Sequence, residues 1–204
     1  MAGEALVTEA KSISGLVKLL DKNFPEAVRS IANSKGRVVV SGIGKSAIIA
    51  NKLVATFNST GTPALFLHAA DAIHGDLGMI QPGDVMICIS KSGESPEIKV
   101  LIPVLKQTGN KLIAITGNMK SYLATKSNLV LNTTVAKEAC PNNLAPTSST
   151  TAQLAMCDAL AVCLLNMKGF TAADFAKVHP GGALGKKLYL RVDDFAAQHS
   201  KPVV

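Results

Sequence analysis

The chain has 204 residues, 48% of them hydrophobic and 17% charged, which suits a single globular domain able to bury its core without disulfides or metal and excludes a disordered chain. Aromatic residues make up only 4% and tryptophan is absent, which argues against a stacking platform for single-stranded nucleic acid. The net charge of +7 is spread thinly, with no basic run longer than Lys186-Lys187, and so favours a small phosphate-bearing ligand over a polyanion.

The opening MAGEALVTEAKS lacks the basic and apolar regions of a signal peptide. The longest apolar stretch, Leu154 to Met167, carries Asp158 and is shorter than the roughly 20 residues of a membrane span. Cys88, Cys140, Cys157 and Cys163 show no C-x-x-C spacing, so a reducing, cytoplasmic setting is expected. Residues 4–34 predict two helices broken at Asn23-Phe24-Pro25, with Pro25 suited to a first helical turn.

From residue 37 short aliphatic runs alternate with helical periodicity. Strands are expected at 38–40, 64–67, 85–89, 112–115 and 129–131, because these runs are nearly all apolar and lack alternation. Helices are expected at 45–59, 96–108 and 119–126, then a long one from Thr147 to Met167 entered through a capping Thr-Ser-Ser-Thr run. A short helix at 172–177, a turn at His179-Pro180-Gly181-Gly182 and a helical piece to about 190 complete the chain. Five strands with helical crossovers predict a doubly wound parallel α/β sheet.

In such a sheet ligands bind just beyond the strand ends, where helix N-termini offer unpaired N–H groups. After the first strand, Gly44-Lys45-Ser46 resembles the end of a nucleotide-triphosphate loop, but that motif needs glycine where Val39 stands. Gly42, Gly44 and Ala47 also fit a dinucleotide fingerprint, yet the second strand ends on His68 where a ribose-binding carboxylate belongs. A plain tight turn is the remaining reading. After the third strand, Ser90, Ser92 and Ser95 surround Gly93 and lead into a helix at Pro96, a grouping that holds a phosphate monoester without metal. Glu97, in that helix, either complements the helix dipole or moves protons.

His68, Asp71, His74 and Asp76 have no metal-site spacing and suit contacts to substrate hydroxyls. Glu138, after the fifth strand, is either a general base facing a pocket or a surface carboxylate beside Lys137. His179 is the remaining group that titrates near neutrality, and Asp158 is expected to be a buried, hydrogen-bonded structural group.

Seven segments in order resemble one family. They are Gly42-Ile43-Gly44-Lys45-Ser46, Thr60-Gly61-Thr62-Pro63, His74-Gly75-Asp76-Leu77-Gly78-Met79, Ile89-Ser90-Lys91-Ser92-Gly93-Glu94-Ser95, Val135-Ala136-Lys137-Glu138-Ala139-Cys140-Pro141, Leu144-Ala145-Pro146-Thr147-Ser148-Ser149-Thr150-Thr151 and His179-Pro180-Gly181-Gly182-Ala183-Leu184-Gly185. Together, over about residues 5–195, they resemble the sugar isomerase (SIS) domain of arabinose-5-phosphate isomerases. The resemblance implies a three-layer α/β/α sandwich with a five-stranded parallel sheet, N-terminal helices over 1–36, the domain itself over 37–195 and a tail over 196–204.

It also implies interconversion of D-ribulose 5-phosphate and D-arabinose 5-phosphate for Kdo synthesis toward lipopolysaccharide or capsule, in a homotetramer that needs no cofactor. The family's catalytic groups fall on Lys45, Glu97, Glu138 and His179, and its substrate contacts on Gly44, Ser46, Gly61, Thr62, His68, His74, Ser90, Lys91, Ser92, Ser95, Thr134, Val135 and Ala136. His68 also falls on a position implicated in inhibitory zinc. In the expected mechanism Glu138 is the carbon base, His179 moves protons at the oxygens from a neighbouring subunit, Lys45 stabilises the enediolate and Glu97 orients.

Relatives commonly continue into a CBS pair, whereas this sequence ends at Val204, so a form without that pair is expected. Ala47 and Lys91 stand where relatives often have glycine and asparagine. Lys91 is expected to make the phosphate loop more basic, and to let an activated Kdo nucleotide sugar bind and inhibit. Other readings are a hexose-phosphate isomerase of the same family or a sugar-phosphate-sensing regulator, the latter disfavoured because no helix-turn-helix precedes residue 37.

Overall fold

Five parallel strands, β1 (Val38–Gly42), β2 (Ala64–His68), β3 (Val85–Ile89), β4 (Lys111–Thr116) and β5 (Leu129–Asn132), form one sheet in the order β2-β1-β3-β4-β5 in the computed structural model. The structure describes residues 1–180. The helical piece expected near 190, the domain end at 195 and the 196–204 tail therefore lie outside the described residues, as do Gly181 to Gly185 of the last motif.

The helices are α1 (Ala2–Leu16), α2 (Asn23–Ala32), α3 (Lys45–Ser59), α4 (Ala69–Ala72), α5 (Pro96–Gln107), α6 (Tyr122–Lys126), α7 (Ser148–Met167) and α8 (Ala172–Val178). Successive strand residues point to opposite faces, which sorts the core into two layers. Val38, Val40, Ile87, Ile89, Ile113 and Ile115 face α2, α3 and α7. Val39, Met86, Cys88, Leu112 and Ala114 face α4, α5 and α6. Every residue of β1 and of β3 is buried, which is why these segments carry continuous apolar runs. The expected three-layer α/β/α sandwich is present.

The chain direction across the sheet reverses beside β1, leaving a crevice at the C-terminal ends of β1 and β3. Helix α6 begins later than expected. Asn118 accepts the Lys120 N–H through its side chain, and the Ser121 hydroxyl then caps the helix by accepting from Ala124 N, so residues 119–121 form a turn instead. Asp158 is half-exposed and ion-paired with Lys52 of α3, not buried as expected. Among the described residues one helix, α7, is long and apolar enough to cross a membrane, and half of that window is buried in the core.

Asp84 ties the starts of β1 and β3 together. Its buried carboxylate accepts the N–H groups of Arg37 and Gln81, both at 2.8 Å, and pairs with the Arg37 guanidinium at 3.3 Å. Asp84→Ala strands these donors and should lower the free energy of unfolding by about 3 kcal/mol in a urea titration.

Candidate active site

Local geometry at three loops brings three helix N-termini to the crevice. After β1, Gly44 adopts φ +57°, a backbone that glycine alone takes readily, and α3 starts at the next residue. A Cβ on Gly42 would lie 2.9 Å from the Ser46 carbonyl oxygen, so glycine lets α3 sit directly against its strand. After β3, the Ser90 hydroxyl accepts the Gly93 N–H at 3.1 Å and the Ser92 hydroxyl accepts the Glu94 N–H at 3.2 Å. Ser95 then precedes Pro96, which opens α5.

Between these loops and the start of α7 lies a cleft of about 230 Å³ lined by Ile43, Lys45, Ser46, Ser90, Lys91, Ser92, Ser95, Pro146, Ser149, Thr150 and Gln153. The first turns of α3 and α7 and the N-cap of α5 border it, and both charged side chains on its wall are lysines. Helix dipoles and ammonium groups of one sign make this an anion site. Its volume is below the roughly 300–1,000 Å³ of sites for drug-sized ligands, which suits a small phosphorylated metabolite.

Glu138, almost wholly buried, is outside that lining and borders a separate groove against α1, but two of its hydrogen-bond donors, Lys91 and Ser149, line the cleft. Its Oε2 accepts from Thr147 N at 2.8 Å, the Thr147 hydroxyl at 3.2 Å and Ser149 N at 3.1 Å, while Oε1 accepts from Lys91 Nζ at 2.7 Å. Burial alone would push this carboxyl up. The Lys91 ammonium and the donors of Ser149 and Thr147 outweigh burial and hold it down at about 2. Of its two sequence readings, the surface carboxylate is therefore corrected: Glu138 is an internal anion that caps α7.

Two other expectations change with it. Thr147 does not cap α7 with its own hydroxyl, which accepts from Ala139 N and donates to Glu138. Lys91 does not simply add positive charge to the loop, because Glu138 matches it. Glu94, on the same loop, turns away from the cleft to accept from Tyr122 N and pair with Lys99, which lowers its titration. Ser149, Thr150, Gln153 and Pro146 line the cleft but were not anticipated as contacts. Their signal was the Thr-Ser-Ser-Thr run, whose hydroxyls point to a helix start facing an anion. Ser46 Oγ donates to Gln153 Oε1 at 3.3 Å, joining α3 to α7 across the cleft.

The remaining expected site residues are dispersed within the single chain. Glu97, half-buried in the first turn of α5, is outside the cleft lining. His68 ends β2, with Nδ1 at 3.4 Å from the Asp71 carboxylate, and His74 lies exposed in the turn after α4. No cluster of three or more His, Cys, Asp or Glu able to hold a metal occurs among the described residues.

Thr134, Val135 and Ala136 line a separate groove of about 570 Å³ under α1, not the cleft. Gly61 and Thr62 precede β2 and so lie at the N-terminal ends of the strands, opposite the cleft, where the buried Thr62 hydroxyl accepts from Lys168 Nζ at 3.0 Å. His179 follows α8, its ring stacked on Phe175 and its Nδ1 2.8 Å from the Phe175 carbonyl oxygen. Helix α7, about 30 Å long, has the cleft at its start and leads to α8 at its far end. In one chain, then, Gly61, Thr62 and His179 do not join Lys45 and Glu138.

Cys88 and Cys157 are buried, which pushes the Cys88 thiol up to about 12 and Cys157 also upward. Cys140, two residues past Glu138, is shifted the other way by the N–H groups of Ala145, Leu144 and Asn142.

The SIS domain profile matches residues 30–163. Arabinose 5-phosphate isomerase KdsD of Escherichia coli (strain K12) is 56% identical over 191 residues, 94% of this chain and 58% of that protein. Arabinose 5-phosphate isomerase KpsF of Escherichia coli is 48% identical over 202 residues, 98% of this chain and 62% of that protein. This chain therefore spans less than two thirds of the length of either relative. A solved structure from E. coli CFT073, in complex with A5P, is 42% identical and covers 88% of this chain and 95% of its own, with a TM-score of 0.85.

Proposed function

Because the chain belongs to the SIS domain family, we propose that it is an aldose–ketose isomerase interconverting D-ribulose 5-phosphate and D-arabinose 5-phosphate. The observation that carries this reading is one anion cleft, walled by three helix N-termini and two lysines, with a buried carboxylate at its side. A phosphate fills the first and a base is supplied by the second. The naming of the two E. coli relatives and the A5P-bound structure support the choice of substrate.

Isomerisation moves one proton between C1 and C2 and another between their oxygens, through an enediolate. Glu138 is the base at carbon, Lys45 stabilises the enediolate charge, Ser90, Ser92 and Ser95 hold the phosphate, and Glu97 orients the substrate. The reaction needs no cofactor, and zinc at His68 acts only as an inhibitor. The product supplies Kdo synthesis for lipopolysaccharide or capsule. Cys88, Cys140, Cys157 and Cys163, all free thiols, suit a reducing, cytoplasmic setting. The test is turnover of ribulose 5-phosphate with chelator present. No turnover, or faster turnover of fructose 6-phosphate, overturns the assignment.

The site is shared between subunits of a homotetramer. His179, Gly61 and Thr62 lie away from their own chain's cleft, and α1 leaves Leu6, Val7 and Ile13 exposed on its surface, apolar area available to a neighbouring copy. Glu138→Gln and His179→Ala proteins, each inactive, should regain activity on mixing, up to about a quarter of wild type if sites pair one residue from each chain. No recovery despite demonstrated subunit exchange rules out sharing.

A further inference from the structure

Lys91 belongs to two sites at once. Its side chain lines the cleft, and its ammonium holds Oε1 of Glu138 at 2.7 Å. Its backbone is anchored: the Lys91 carbonyl accepts from Gly117 N at 3.0 Å and from the Thr116 hydroxyl at 3.3 Å. Beyond that anchor its side chain is half-exposed. Glu138 is asymmetric in the same way. Oε2 is fixed by backbone N–H groups of α7, whereas Oε1 has Lys91 as its hydrogen-bond donor.

We propose that Lys91 is a positioning residue through which phosphate binding uncovers the base: the arriving phosphate draws the ammonium off Glu138 Oε1 and leaves that oxygen open toward the substrate. The proton-accepting step rests on the isomerase reading above, while the exchange of partners rests on the cleft alone.

The physical argument is competition for one cation. A phosphate dianion presents more charge and more acceptor oxygens than a carboxylate whose other oxygen is already satisfied. Lys45 is the other charged group on the cleft wall, while the groove beside α1 that Glu138 itself borders also carries Lys11 and Lys137. Of these lysines, Lys91 is the one whose ammonium is hydrogen-bonded to the carboxylate, at Oε1. Once Lys91 turns away, Glu138 keeps its place through Oε2 but loses the opposite charge that depressed its basicity. A site without phosphate thus holds a guarded, weakly basic carboxylate, and a site with phosphate holds an active one.

Two measurements separate this switch from the isomerase reading. In a crystal structure of the wild-type chain with inorganic phosphate, Lys91 Nζ should contact the phosphate and stand more than about 3.5 Å from Glu138 Oε1. Phosphate bound with the ion pair still at 2.7 Å, or no phosphate in the cleft, overturns the proposal. In kinetics on ribulose 5-phosphate, Lys91→Asn and Lys91→Gln should raise the acidic limb of the kcat/KM profile by about one pH unit or more, because that limb reports the free enzyme. The acidic limb of kcat, which reports the phosphate-loaded complex, should move far less. Equal shifts of both limbs, or none, also overturn the switch. A wild-type chain with no turnover rejects the isomerase reading, and the phosphate-bound structure still decides the exchange of partners.

Discussion

Glu138→Gln should lower kcat for ribulose 5-phosphate by about a thousandfold, the range lost with a general base, while inorganic phosphate still binds the cleft. The side chain keeps its shape but gains two N–H donors where the native carboxylate has only acceptors. Its single oxygen can satisfy the α7 N–H groups or Lys91, not both. Exchange of the substrate carbon proton with solvent should vanish in parallel. Wild-type exchange in this variant would remove Glu138 from the carbon step.

The same substitution has a stability signature with a definite sign. The folded-state pKa of Glu138 is held at about 2, below its unfolded value, so its contribution is present above the unfolded value and fades as pH falls toward the folded one. At neutral pH the variant should be less stable by roughly 3 kcal/mol, the depression converted at 1.36 kcal/mol per unit. That gap should close between about pH 5 and pH 2, which urea titrations at successive pH values would follow. A gap that stayed constant down to pH 2 would mean the loss arises from packing and not from charge.

The central strands were legible because burial on both faces leaves an unbroken apolar run, and a helix must intervene before the next parallel partner. Val38 to Val40 and Val85 to Ile89 show this directly. What the local sequence could not show were pairings over long separations. Lys91 meets Glu138 47 residues away, and Asp158 meets Lys52 106 residues away, so a loop lysine looked unpaired and a helix aspartate looked buried. The start of α7 misled for the same reason: hydroxyls beside a helix start suggest a local cap, but a carboxylate nine residues upstream of Thr147 takes that role.

The loop after β3 was readable as a helix entry from its serines, glycine and Pro96, since a helix start needs few residues to declare itself. Motif resemblance gathered Lys45, Glu138, Gly61, Thr62 and His179 into one site, whereas in the chain Lys45 and Glu138 follow strands, Gly61 and Thr62 precede one, and His179 follows α8. Motif order along a sequence carries no information on how far apart the fold sets the motifs.

Gly93→Ala should be the most damaging single-methyl change in the phosphate loop. Gly93 has φ +65°, and a Cβ there would lie 2.2 Å from Ser121 Oγ and 3.2 Å from Leu123 Cβ. The left-handed backbone alone costs an alanine about 1 kcal/mol. The collision must also displace Ser121, whose hydroxyl caps α6, for about another 1 kcal/mol, or shift a loop held by Leu123 N donating to the Gly93 carbonyl. With close packing on both sides, a total loss of about 3 kcal/mol is expected, together with weakened phosphate binding as Ser90 loses its partner at Gly93 N. Gly109→Ala provides the control. Its φ is +73°, yet nothing lies within 4 Å of the added methyl, so it should cost about 1 kcal/mol and leave phosphate affinity intact. Equal losses in the two variants would assign the whole effect to backbone conformation and remove the argument that Ser121 and the phosphate loop are packed as one unit.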